Sequence, residues 1–174
     1  MIAALLLLLA VSFGLGFSPQ NQAGAPDKSA AQADHHQRVV ERGDHVMGFS
    51  HDQATHHFRL YPDGGAIEAE ANSASDTVTR DQIRAHFGHI VSMFAAGNFS
   101  APMLIHAQNP PGSDTMKRLR SAITYNTENT GRGARIRISS NNPGAVAAVH
   151  QFLRFQIKDH QTGDSPVVTP APAR

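Results

Sequence analysis

The chain has 174 residues, enough for one domain with a real core, and 15 basic side chains against 14 acidic ones. That balance argues against a large nucleic-acid footprint, which needs a strongly basic surface. There is no cysteine, which excludes disulfides, thiolate metal sites and cysteine nucleophiles. Eleven histidines are roughly two to three times ordinary usage.

Residues 2–17 are almost wholly apolar, and Ala23-Gly24-Ala25 follows a polar stretch. This is the pattern of a secretory signal cleaved after Ala25, although no Lys or Arg precedes the apolar run. The run is shorter than the about 20 residues of a membrane span. The expectation is an exported bacterial protein, periplasmic or extracellular, with no stable span once the signal is removed. Residues 26–43 read as a flexible lead-in. It holds a short helix over 30–42, closed by Gly43, with His35 and His36 in solvent.

Residues 44–163 are the expected single domain. Asp44, His45, Met47 and His51 lead into Thr55-His56-His57-Phe58-Arg59-Leu60-Tyr61. That run and Ile67-Glu68-Ala69-Glu70-Ala71 alternate around Asp63-Gly64-Gly65, which predicts a β-hairpin with its turn at the glycines. Successive side chains of a strand point to opposite faces. His56 therefore shares the core face with Phe58 and Leu60, while His57, Arg59 and Tyr61 face away. An inward imidazole needs a hydrogen bond or a metal, because burying a polar group alone is costly.

Thr79 opens a helix, with Gln82 at capping-box spacing. Ile83, Phe87, Ile90 and Phe94 mark its buried face. His86, His89 and Met93 lie beside that face, and Gly97 ends the helix. Met103-Leu104-Ile105-His106 reads as a short strand and Asn109-Pro110-Pro111-Gly112 as a turn. A short helix capped by Ser113 or Asp114 runs to Leu119. Residues 123–127 and 134–138 predict a second hairpin around Gly131 and Gly133. Asn142 caps the last helix and Pro143 is its first residue. It buries Val146, Val149, Leu153 and Ile157, with His150 in the same stripe and His160 near its end. Residues 164–174 hold three prolines and read as a disordered tail. The sum is an α+β fold: two β-hairpins form an antiparallel sheet packed against two main helices.

Imidazoles brought from separate elements to one point are how zinc and copper sites are assembled. The candidate ligands are His56, His86, His106 and His150, with Met47 or Met93 nearby. Thioether beside imidazole suits copper, Cu(I) in particular. The expected ligand is a metal ion, copper or zinc, or a small molecule. Two other readings stay open. One is a small periplasmic enzyme using His56, His86 or His150 as general base, oriented by Asp44 or Asp63. The other is a non-catalytic binding or structural domain whose histidines are only hydrogen-bonded. No G-x-S-x-G, phosphate loop or dinucleotide fingerprint is present, so no nucleotide or flavin cofactor is expected and the balance leans away from an enzyme.

Several segments carry a resemblance. They are Met47-Gly48-Phe49-Ser50, Thr55-His56-His57-Phe58, Asp63-Gly64-Gly65, Gly97-Asn98-Phe99-Ser100-Ala101-Pro102 with His106, Pro111-Gly112, and Ala148-Val149-His150-Gln151-Phe152-Leu153-Arg154-Phe155-Gln156-Ile157 with Asp159-His160. Over about residues 43–164 the chain resembles a family of small exported bacterial proteins without an assigned activity. Members of that family commonly carry the label aspartate carbamoyltransferase. The label does not fit. True transcarbamoylases resemble a two-domain cytoplasmic enzyme of roughly twice this length, with a Ser-Thr-Arg-Thr phosphate loop, and this chain has no such loop. The resemblance implies that His56, His86, His106, His150 and His160 matter to the family.

Overall fold

A computed structural model describes residues 28–171; the signal expected at residues 1–25 lies outside the described residues. The first hairpin is β1 (Ala54–Tyr61) and β2 (Gly64–Ala71), the second β3 (Thr124–Asn129) and β4 (Gly133–Ser139). β2 pairs antiparallel with β4, so both hairpins join one four-stranded sheet in the order β1-β2-β4-β3. The helices α2 (Thr77–Ala95) and α5 (Pro143–His160) lie on one face of it. The helices α1 (Lys28–Met47), α3 (Ser100–His106) and α4 (Ser113–Arg118) and a 3-10 turn at Arg120–Ala122 complete the described elements. Among the described residues no helix is long and apolar enough to cross a membrane.

Alternation along the strands and the 3.6-residue period of the helices decide what meets what. Phe58, Leu60, Ile67, Ile136 and Ile138 face inward from the sheet. Against them pack Ile83, Phe87 and Phe94 of α2 and Val149, Phe152 and Leu153 of α5. Phe94 and Phe152 join the helices edge to face, with ring centres 5.9 Å apart. The opposite face of the sheet is polar and neutralises itself. His57, Glu68, Arg135 and Glu128 stand side by side across all four strands. There Arg135 donates to Glu68 at 2.7 Å and reaches Glu128 at 3.5 Å.

Several elements differ from the sequence reading, each for a local reason. The first hairpin turns on Pro62 and Asp63, because Gly64 already pairs with Tyr61. The glycines serve packing instead. A Cβ on Gly65 would come within 2.3 Å of both the Arg59 carbonyl oxygen and Leu153 Cδ1, so glycine is what lets α5 lie on the hairpin. α2 begins two residues before Thr79, because Asp76 caps it by accepting from the Thr79 amide at 3.0 Å. Met103 to His106 belong to α3, not to a strand. Asn98 Oδ1 accepts from the Ser100 amide, and Pro102 sits in the first turn, where its missing N–H costs nothing. An apolar run of four residues carries too little period to separate strand from helix.

The lead-in is a twenty-residue helix. It runs through Gly43, which is buried, and stops at Gly48, whose φ of +76° is the left-handed conformation of a helix C-terminus. Val39, fully buried, holds it down, and α1 packs on α3 and α5. The tail is tied as well. The Asp164 carboxylate accepts from the Phe58 amide at 2.9 Å and from Arg59, and the Thr169 amide donates to the Leu60 carbonyl. The chain thus covers the exposed edge of β1, the usual protection for an edge strand.

Candidate functional site

β1, α2 and α5 each send one histidine to the same place. His56 stands on the inner face of β1 opposite Ala69, whose small side chain leaves room for the ring. His86 borders the buried stripe of α2, and His160 is the last residue of α5. The three rings line a recess of about 70 Å³, together with Met47, Phe58, Gln156 and a wall of apolar side chains from α2, α3 and the sheet. No Asp, Glu, Lys or Arg lines it.

Aromatic rings hold these imidazoles in place. Phe49, just beyond α1, stacks on His56 with ring centres 5.7 Å apart and meets His86 edge-on at 5.9 Å. The His56 and His160 rings are 6.1 Å apart with their planes 14° from parallel. Phe58 lies 5.6 Å from the His160 ring. Phe49 and Phe58 are almost fully buried, at 5 % and 3 % exposure.

Burial controls the charge of the three rings. It pushes His56 down to about 4, with the neighbouring His86 and His57 adding to the effect. It pushes His86 down to about 4, helped by His89. It pushes His160 down to about 3, with His106 and His56 adding to it. All three are neutral at pH 7, so each ring carries one N–H and one lone pair. His56 Nε2 is buried and has no hydrogen-bond partner among the described residues. Gln156, only 4 % exposed, likewise has its Nε2 buried without one.

The remaining histidines are mostly engaged elsewhere. His106 is buried on α3; its Nδ1 donates to Asp159 Oδ2 at 2.5 Å and its Nε2 lies 2.9 Å from Gln156 Oε1. Asp159 also takes His35 Nε2 at 2.8 Å, on its other oxygen. Burial alone would raise the Asp159 carboxyl, but the hydrogen bonds from His35 and His106 hold it below the ordinary carboxylate value. His36 reaches the Asp159 carbonyl, His57 pairs with Asp164 and His51 with Asp44. His35 and His36 are therefore half-buried and bonded, not solvated. His150 Nε2 lies 2.8 Å from the Tyr61 carbonyl oxygen, at the far end of β1 from His56.

Of the six candidate ligands, the structure brings His56, His86 and Met47 to one recess. His106 is next to it, committed to Asp159 and Gln156. His150 is elsewhere, and Met93 packs against the core without lining the recess. His160 also lines the recess, a position outside the donor set read from the sequence. The signal was present, since His160 follows Gln156 by four residues and Leu153 by seven, on the buried side of α5. Among the described residues no three His, Cys, Asp or Glu side chains form a ready-made metal cage. No protein-family model, no curated protein and no solved structure matches the chain.

The recess offers soft, uncharged donors in an apolar surround. Its imidazoles have no proton to lose before the free nitrogen of each can bind a cation or accept a hydrogen bond. No carboxylate base lines it, and Asp159 and Asp44 are already held by other histidines.

Proposed function

We propose that the chain is an exported binding domain for a transition metal ion, copper or zinc. The ion is held in the recess by His56, His86 and His160, with Met47 beside them. One observation carries the reading: the histidines sort by partner. Six of them bond to carboxylates, carbonyls or an amide. The three that converge on the recess have no such partner among the described residues, and all three are neutral; His45 and His89, also without a bonded partner, are exposed to solvent. A buried polar atom kept without a partner costs stability, and a ligand recovers that cost.

Binding would require the imidazoles to shift from their ring-packed positions, since metal–nitrogen bonds are about 2.0 Å and no ready-made cage stands among the described residues. The reading is handling or storage of the ion rather than catalysis, since no carboxylate lines the recess to orient an imidazole as general base. Export rests on residues 2–17 and Ala23-Gly24-Ala25. The test is metal analysis of the full chain purified from its native compartment, then titration with Cu(I), Cu(II) and Zn(II). One equivalent is expected for the natural sequence, and its loss in His56→Gln and in His160→Gln. Unchanged stoichiometry in both variants would overturn the reading.

A further inference from the structure

We infer that the recess selects Cu(I) over Cu(II) and Zn(II); this rests on the metal-binding reading above and narrows it to one ion. The first ground is charge. Moving an ion out of water into an apolar surround costs free energy that grows with the square of its charge, and only nearby opposite charge offsets it. No charged side chain lines the recess, whose donors are imidazole, thioether and amide; Asp44 and Asp159 act on His56 and His160 only from outside that lining. A divalent ion pays about four times the desolvation of a monovalent one and finds no carboxylate ligand there.

The second ground is donor softness. Met47 brings a thioether to a recess whose other donors are neutral imidazoles, and thioether ligands select Cu(I). The third is coordination number. Zn(II) asks for four ligands in a tetrahedron, whereas Cu(I) is content with two or three. The lining lacks the Cys, Asp or Glu ligands that commonly complete zinc sites.

The experiment is an anaerobic titration of the full chain with Cu(I) in competition with a Cu(I) chelator, run beside titrations with Cu(II) and Zn(II). Cu(I) is expected to bind at least about 100-fold more tightly than either divalent ion, as the charge and softness arguments require. Met47→Leu keeps the bulk of the side chain and removes the sulfur. It is expected to weaken Cu(I) about tenfold, more than it weakens Zn(II), and to erase the sulfur shell from the copper K-edge X-ray absorption spectrum. Two results would overturn the selectivity while leaving metal binding standing. One is Zn(II) or Cu(II) bound as tightly as Cu(I); the other is a copper spectrum without sulfur in the natural chain. Failure to bind any of the three ions would remove the metal-binding reading and the selectivity together.

Discussion

His106 and His160 stand edge-on with ring centres 4.9 Å apart, and their surroundings differ in kind. His106 has Asp159 on one nitrogen and Gln156 on the other. His160, one residue beyond Asp159, meets only rings: His56, Phe58 and His106. The first arrangement is a hydrogen-bonded buried polar group that ties α3 to the end of α5. The second keeps two ring nitrogens available at a recess. The difference shows that inward direction alone does not decide whether a histidine is bonded: His106 faces inward with its partners supplied, His160 with them withheld.

Acid separates the two groups most strongly. Burial has pushed His56, His86 and His160 below the ordinary histidine value of 6.5. The unfolded chain therefore takes up protons below pH 6.5 that the folded chain refuses. Stability is fully present above that pH. It is lost as pH falls toward about 4 for His56 and His86, and toward about 3 for His160. Linkage assigns roughly 1–2 kcal/mol to each imidazole between pH 7 and pH 5. The carboxylates titrate lower in the unfolded chain, near about 4, so this window reports the histidines. A drop of about 3–5 kcal/mol in metal-free unfolding free energy is expected from urea melts at pH 7, 6 and 5. A flat profile would mean that the three rings are not held neutral by burial.

The bonded group is expected to respond to truncation instead. His106→Leu leaves Gln156 without a partner on either amide atom and Asp159 with His35 alone. The cost is about 3 kcal/mol, the range for breaking a buried charge-assisted pair. His35→Leu removes the other partner of the same carboxylate, but the His35 side chain is 39 % exposed. Its cost is under about 1 kcal/mol. Denaturant midpoints for the two variants measure the gap. Equal losses would show that burial does not set the worth of these bonds.

How far the sequence showed this can be argued from particular residues. Alternation placed His56 inward and Arg135 outward, and the period placed Phe87 and Leu153 at the core, because burial pattern is a local property of strand and helix. The pairing of β2 with β4 was not legible, since nothing local records which hairpin edges meet. The twenty residues of α1 were misread because Gly43 looks like a stop. Its buried place in that helix depends on packing against other elements. The site was half legible for the same reason. His56, His86 and Met47 were visible from direction, but the removal of His106 and His150 from the donor set depends on Asp159, Gln156 and the Tyr61 carbonyl. Those partners lie 50 or more residues away in sequence for His106 and 89 away for His150.

A small effect is the most discriminating, because its sign is opposite to that of ordinary core damage. If His56 and His160 are retained for a ligand, they weaken the metal-free fold. Replacing either by leucine exchanges a buried imidazole without a partner for an apolar side chain of similar size, a change that is neutral or favourable. His56→Leu and His160→Leu are each expected to raise metal-free stability at pH 7 by about 1 kcal/mol. Each is expected to remove one proton from the acid dependence as well, so the double variant should lose most of the slope between pH 7 and pH 5. Both should lose the tightly bound ion. His106→Leu is the control with the reverse signature, destabilised while both recess imidazoles remain. Destabilisation of both recess variants by more than about 1 kcal/mol would place their rings with the structural histidines, and the distinction between His106 and His160 would collapse.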